Sequence, residues 1–277
     1  MAVTQTKLSV VELQEKARIM RRHVIAMLGE AGSGHPGGSL SAAEIVACLF
    51  FSAMRFDPAN SRWPDRDRFI LSKGHACPIL YAALAEAGCI PTSELMTLRK
   101  LDSRLQGHPS VKDLPVVEAS TGSLGQGLSF AIGVALAGKL DGRKYHTYVL
   151  LGDGESQEGQ VWEAAMAAVK YSLDSLTAIV DFNRFQLDDS IAKIMPALEP
   201  LPDKWCSFGW HVVEIDGHDI SQVLAAINEV LATKGRPSVI VAHTVKGKGV
   251  SFMENDNEYH GKAPTKEQVA QALAELS

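Results

Sequence analysis

Cysteine is scarce in this chain, and its spacing excludes more than its number does. Four cysteines occur in 277 residues, at positions 48, 77, 89 and 206. None forms a C-x-x-C pair, so reduced thiols in a cytosolic protein are expected ahead of disulfides or a zinc site. Positive charge is also short. The chain has 27 Lys and Arg against 32 Asp and Glu, a formal net charge of −5. That balance argues against nucleic acid or an anionic membrane surface as the main partner. It leaves phosphorylated substrates open, because a few local cations bind phosphate whatever the total. No run is long and apolar enough to span a bilayer, and residues 1–13 are polar with no apolar signal core. The expected compartment is the cytoplasm. Internal repeats, low-complexity tracts and obvious linkers are absent too.

What remains is an ordinary soluble composition, with 46% hydrophobic and 21% charged residues. The length suits one large domain or two small ones. Helical spacing of apolar residues predicts a helix over 8–28, with Arg18, Arg21 and Arg22 at polar positions and glycines 29, 32 and 34 ending it. Further helices are expected over 41–54, mostly buried, over 78–86 and over 123–140. In the last of these, Gly125, Gly127, Gly133 and Gly138 would allow close packing. From Tyr145 the pattern changes. Strands are expected at 145–151, 176–181, 210–215 and 238–242, with helices at 161–171, 220–232 and 264–276. Alternation of this kind implies an α/β fold with a mostly parallel sheet and helices on both faces. Ligands of such sheets sit at the carboxyl ends of the strands. The loops after Leu151, Asp181 and Ala242 are therefore the places to look.

Two of those loops carry metal-binding chemistry. Gly152-Asp153-Gly154-Glu155-Ser156-Gln157-Glu158-Gly159 follows one strand, and Asn183-Arg184-Phe185-Gln186 follows its neighbour. Glycines 152 and 154 let the backbone turn tightly and approach an anion. Asp153 offers a carboxylate and Asn183 an amide oxygen. With a backbone carbonyl beyond Asn183, they make a hard oxygen set suited to Mg²⁺ or Ca²⁺, and Mg²⁺ commonly completes its shell with phosphates. The competing reading is a plain turn, with Asp153 capping the next helix.

Four of nine histidines sit in distinctive loops, each with a glycine beside it: Gly34-His35-Pro36, Gly74-His75-Ala76, Gly107-His108-Pro109 and His260-Gly261. Rings held this way can donate to phosphate or hydroxyl oxygens and move protons near neutral pH. The other histidines carry no expected role. His218 reads as a strand-end turn before Asp219, a helix N-cap. His23 and His146 read as structural or solvent-facing, and His211 as packing.

Gly-Asp-Gly followed after roughly thirty residues by Asn resembles the thiamine diphosphate signature. The histidine loops, together with Ser120-Thr121-Gly122-Ser123-Leu124-Gly125-Gln126-Gly127 and His243-Thr244-Val245-Lys246-Gly247-Lys248-Gly249, resemble the transketolase family in particular, from about residue 8 to 264. The resemblance implies that Asp153, Asn183 and the Phe185 carbonyl hold Mg²⁺ (or Ca²⁺). It implies that His75, Gly154 and Lys246 contact the diphosphate, and that Gly122, Ser123 and Leu124 line the cofactor cleft. His35, His108 and His260 would face the sugar. Glu158 resembles a buried glutamate beside the cleft that meets its symmetry mate.

The family's full-length members continue with a pyrimidine-binding domain and a third domain. The former carries the glutamate that protonates the cofactor's aminopyrimidine ring, and no candidate for it is found here. The resemblance thus implies a single diphosphate-binding domain over 1–277, the first subunit of a two-gene transketolase. A second subunit would carry the rest, in a dimer of heterodimers, acting on sugar phosphates. Two alternatives stand beside it. One is a related thiamine enzyme, such as a 1-deoxyxylulose-5-phosphate synthase or a specialised ketol transferase. The other is a non-catalytic cofactor-binding subunit, against which the complete set of Asp153, Asn183, His75 and Lys246 argues.

Overall fold

The computed structural model describes residues 8–277, and the first seven positions of the polar stretch 1–13 lie outside the described residues. Five parallel strands form one sheet: β1 (Arg68–Leu71), β2 (Thr147–Gly152), β3 (Leu176–Phe182), β4 (His211–Asp216) and β5 (Ser238–His243), in the order β1-β2-β3-β5-β4. Every residue of β3 is buried, as a central strand covered on both faces requires. Alternate residues enter two separate cores. Tyr148, Leu150, Ile179 and Ile240 join one, and Val149, Leu151, Val180 and Val241 join the other. The apolar run before the His75 loop is itself the edge strand β1, paired with β2 from Arg68↔Thr147 to Leu71↔Leu150. At four residues, it is too short to declare itself by alternation.

The first core is covered by α1 (Val10–Ala31), α2 (Gly37–Ser41), α3 (Ala43–Cys48), α4 (Cys77–Glu86), and, later in the chain, by the helices at Ile220–Ala232 and Lys266–Glu275. The second lies under α5 (Gln126–Leu140), α6 (Gly159–Lys170), and two short helices not foreseen from the sequence, α7 (Ile191–Ile194) and α8 (Leu201–Ser207). The later pair are α9 (Ile220–Ala232) and α10 (Lys266–Glu275). Helix α1 opens with a capping box between Ser9 and Glu12 and closes on Gly32 at φ 62°. It runs through Gly29, where a Cβ would stand 2.3 Å from Val269 Cγ2 on α10. That glycine serves packing and does not end the helix. Arg21, expected among the polar positions, is buried and paired with Glu44, whose other oxygen meets His218 Nδ1 at 2.9 Å.

The single helix expected over 41–54 is broken. Ala42 leaves helical geometry (φ −90°, ψ 3°), and the segment ends in a wider turn over Leu49–Ala53. At the break, Ser41 Oγ donates to Asp181 Oδ2 at 2.6 Å across the core. Of the glycines expected to pack α5 closely, Gly125, Gly127 and Gly138 do, with Glu158, Ser72 and Tyr145 closer than 3 Å to any Cβ there. Gly133 meets nothing and needs another reason. Among the described residues no helix is long and apolar enough to cross a membrane.

Candidate functional site

A cleft of about 290 Å³ opens at the carboxyl ends of the strands. Each wall is the loop that follows a strand. The loop after β1 brings Lys73 and His75, that after β2 brings Asp153 and Gly154, that after β3 brings Asn183 and Phe185, and that after β5 brings Lys246. Leu124 and His260 are also among the lining residues. Residues far apart in sequence thus converge because parallel strands all end at one edge of the sheet.

The floor is a buried charge network centred on Asp181, the penultimate residue of β3. Lys73 Nζ forms an ion pair with Asp181 Oδ2 and donates to Gly38 O at 2.7 Å. Ser41 and Thr244 hydroxyls also donate to the Asp181 carboxylate, and Asn183 Nδ2 reaches Oδ2 at 3.2 Å. Burial alone would raise the Asp181 carboxyl. The Lys73 ammonium and the hydroxyl donors outweigh it and hold the carboxyl below the ordinary range. Asp153 is treated oppositely. It is buried, with Gly154 N donating to Oδ1 at 2.7 Å and Arg184 N donating to Oδ2. Burial, and then the charge on Asp181, push it up to about 7. Arg184 reaches it from a left-handed backbone, φ 68°, that turns the chain back after β3. The capping reading of Asp153 is thus present but incomplete, since its second oxygen is held from the neighbouring strand's loop.

These residues fit a metal and a diphosphate. A buried carboxylate with no cation of its own lies beside one amide oxygen, that of Asn183, and the chain at Phe185. Among the described residues no three His, Cys, Asp or Glu side chains gather as a metal cluster, so an oxygen-rich site built on one acid is the kind available. Opposite stand Lys246, pushed by burial down to about 8, and His75. Cation-seeking and anion-seeking groups therefore share one cleft. Neither Gly152 nor Gly154 adopts positive φ. Gly154 is required because a Cβ there would stand 2.9 Å from Gln186 Cβ.

Three of the four loop histidines cluster tightly. His75 and His260 stack with centroids 5.2 Å apart, and His35 lies 5.2 Å from His75 and 5.7 Å from His260. His108 is further out, exposed and 6.2 Å from His35, against Gly122. Burial is the first cause that lowers all four. His35 falls to about 4 and His260 to about 3, with the nearby Arg99 and Lys246 charges, respectively, adding to it. His75 falls well below its ordinary value, and His108 falls also. The rings are neutral at neutral pH. Lys246 Nζ donates to His260 Nδ1 at 2.9 Å, which leaves the proton of that ring on Nε2. His35 Nδ1 is buried with no protein partner.

The remaining expected residues distribute unevenly. Leu124 lines the cleft, whereas Gly122 packs on the His108 ring and Ser123 is exposed. Glu158 lines the cleft but is exposed in the single chain. A second glutamate of the same loop, Glu155, is buried within this chain, and nothing in its sequence context singles it out. Its Oε1 accepts from Gly125 N at 2.9 Å and from Ser72, and its Oε2 from Gly152 N at 3.0 Å. It ties the ends of β1 and β2 to the start of α5. Lys73 and Asp181 are likewise site residues that sequence reasoning missed. Among the other histidines, His146 is buried on Thr177 and His218 accepts from Val245 N at 2.8 Å. Asp219 caps α9 as expected. His211 is half-buried at the start of β4, and its Nε2 meets Glu229 Oε1 at 2.8 Å.

Residues 13–277 match the family model described as transketolase, thiamine diphosphate binding domain. Over 266 residues the chain is 45% identical to the 6-deoxy-6-sulfo-D-fructose transketolase subunit SqwG of Clostridium sp. (strain MSTE9), covering 96% of each. It is 40% identical to an apulose-4-phosphate transketolase subunit of Phocaeicola vulgatus, covering 96% of this chain and 93% of that one. Its fold superposes on the transketolase of Campylobacter jejuni with a TM-score of 0.91 at 31% identity, covering 97% of this chain and 43% of that one. The chain spans about two fifths of the solved transketolases it matches. It belongs to the transketolase family, as a thiamine diphosphate-binding domain.

Proposed function

We propose that this chain is the thiamine diphosphate-binding subunit of a split transketolase, which transfers a two-carbon ketol unit from a ketose to an aldose phosphate. It is a single diphosphate-binding domain, and a second subunit supplies the pyrimidine-binding domain. The observation that carries the reading is the meeting of Asp153, Asn183, His75, Lys246 and His260 in one cleft at the strand ends. Two relatives named as transketolase subunits match this chain over nearly their whole length, which supports the two-subunit form.

Asp153, Asn183 and the Phe185 carbonyl would hold Mg²⁺, and His75, Gly154 and Lys246 the diphosphate. Thiamine diphosphate, when bound, supplies the electron sink for the transferred unit. The chain's own part is to bind, orient and move protons. His260 Nε2–H and the neutral rings of His35 and His108 face hydroxyls as donors or acceptors without bringing a fixed charge. Lys246, held by Gln186 O and Asn257 Oδ1 at 3.1 Å each, keeps His260 in one tautomer. Leu124 and the backbone at Gly122 and Ser123 shape the approach. Glu158, exposed in the single chain, is available to a facing subunit. The reaction belongs to the cytoplasm and to sugar phosphate metabolism.

The test is a coupled assay with xylulose 5-phosphate and ribose 5-phosphate, run on this chain alone and then with the second subunit titrated in. Activity should appear only on mixing. Full activity from the chain alone would overturn the two-subunit reading. Replacing the donor by 6-deoxy-6-sulfofructose or apulose 4-phosphate in the active complex separates a general from a specialised transketolase.

A further inference from the structure

At the other end of the sheet, beside the amino-terminal ends of the strands, lies a second opening of about 560 Å³. Its walls come from residues just before β1, β2, β3 and β5, with Tyr148 of β2 among them. Five cationic side chains line it: Arg55, Lys139, Arg143, Lys144 and Lys234. Two carboxylates face them, Asp67 and Asp174. A chain of net charge −5 thus concentrates an excess of positive charge in one place.

Both carboxylates are already engaged. Asp67 is buried and accepts from Arg55 Nη2 and from the backbone amides of Arg55 and His146, each at 2.8 Å. Asp174 accepts from Gly235 N at 3.0 Å. Arg143 pairs with Asp65 at 2.8 Å. Lys139 and Lys234 donate only to backbone carbonyls, those of Tyr171 at 2.7 Å, Ser172 at 3.1 Å and Leu231 at 2.8 Å. Each keeps at least one ammonium proton to give. No carboxylate pairs with Lys139, Lys144 or Lys234 among the described residues.

A second observation is independent of charge. The Tyr148 side chain is fully buried and its hydroxyl has no hydrogen-bond partner, although the residue lines this opening. Buried hydroxyls are nearly always satisfied, so an orphan beside a cationic cleft is a donor for a ligand oxygen or a water to take up. The adjoining ring of His146, 4.6 Å away between centroids, is already bonded to Thr177 Oγ1 at 2.8 Å and leaves Tyr148 free. Ammonium and guanidinium groups with a hydroxyl donor are the chemistry that recognises phosphate oxygens. A volume of this size suits a small ligand.

We propose that this opening binds a phosphate group, free or carried by a small metabolite, as a site separate from the cofactor cleft. The two lie at opposite ends of β2, about 17 Å apart along the strand from Tyr148 to Asp153.

Equilibrium dialysis of the full chain with labelled inorganic phosphate tests this, in excess thiamine diphosphate and Mg²⁺ so that the cofactor cleft is occupied. One phosphate per chain should still bind. The Lys144→Ala/Lys234→Ala double variant should weaken it at least about tenfold, a loss typical of removing charged phosphate donors. Tyr148→Phe removes one oxygen only. It should weaken binding several-fold while the melting temperature without phosphate holds or rises. Glycerol 3-phosphate binding tighter than inorganic phosphate would identify a metabolite as the source, and equal affinity would identify free phosphate. No binding at millimolar phosphate, or binding equal in wild type and both variants, overturns the proposal.

Discussion

Lys73→Met is the substitution that best tests how the site is held together. Lys73 is 1% exposed and Asp181 fully buried, and their ion pair lies beneath the cleft. Removing one partner of a buried pair costs roughly 3–5 kcal/mol, because the remaining charge is stranded. Here the stranded carboxylate keeps the Ser41 and Thr244 hydroxyls and the Asn183 amide. Those donors place the expected loss near the lower end, about 3 kcal/mol. For a chain of this size that is a fall in melting temperature of roughly 6–12 °C. The assay is urea unfolding followed by tryptophan fluorescence, without cofactor, so that ligand linkage does not enter. Adding Asp181→Asn to Lys73→Met removes the stranded charge and should recover about half of the loss or more. A Lys73→Met chain within about 0.5 kcal/mol of wild type, or a double variant as unstable as the sum of the singles, would refute the argument.

Two further outcomes follow from the ionisation of the site. His35 and His260 have folded values lowered to about 4 and about 3, so their NMR resonances should stay those of neutral rings down to pH 5. Lowered values mean that the unfolded chain takes up protons first. Their contribution to stability is full above about 6.5 and falls as pH drops toward 4, and a midpoint near 6.5 for either ring would contradict the burial argument. Asp153 is raised to about 7 and must be ionised to hold a cation. Calorimetric affinity for thiamine diphosphate with Mg²⁺ should therefore climb as pH rises through 7, and Asp153→Ala should abolish it. Affinity flat from pH 6 to 8, or retained in the variant, removes Asp153 from the metal set.

The sequence made the strand ends and their loops legible because those signals are local. An apolar run ends and a ligand-type side chain follows, after a glycine at Gly152-Asp153 and without one at Val180-Asp181-Phe182-Asn183. The helix start set by a neighbouring side chain was legible for the same reason at Asp219, whereas the helices capped by Ser9 and Thr265 begin two residues later than expected. What stayed hidden is held by long-range pairing. Lys73 and Asp181 are 108 residues apart, and each reads alone as an ordinary loop cation and strand-end acid. Glu155 lies inside a string whose chemistry points first to Asp153 and Glu158, and only the register of β1, β2 and α5 makes it the buried member. The break at Ala42 could not be read either. Its small, apolar neighbourhood suits a helix, and the competing demand comes from Asp181 across the core.

Two carboxylates one register step apart are shifted in opposite directions, and the reason is geometric. Gly152 on β2 pairs with Asp181 on β3, so Asp153 stands one residue beyond its neighbour's carboxylate. Two bare charges so close would repel, and one cation among them must choose. Lys73 leaves β1 on the core side and reaches Asp181, not Asp153. Asp181 is thereby fixed as an anion and becomes a buried hydrogen-bond acceptor that holds Asn183 by its amide nitrogen. Asp153 is left with backbone amides alone, near the middle of its titration at neutral pH. A divalent cation is what such a carboxylate lacks. The pairing that stabilises the floor of the cleft also leaves the acid above it in need of a metal, so the stability of the apo chain and its affinity for a cofactor with its cation trace to the same lysine.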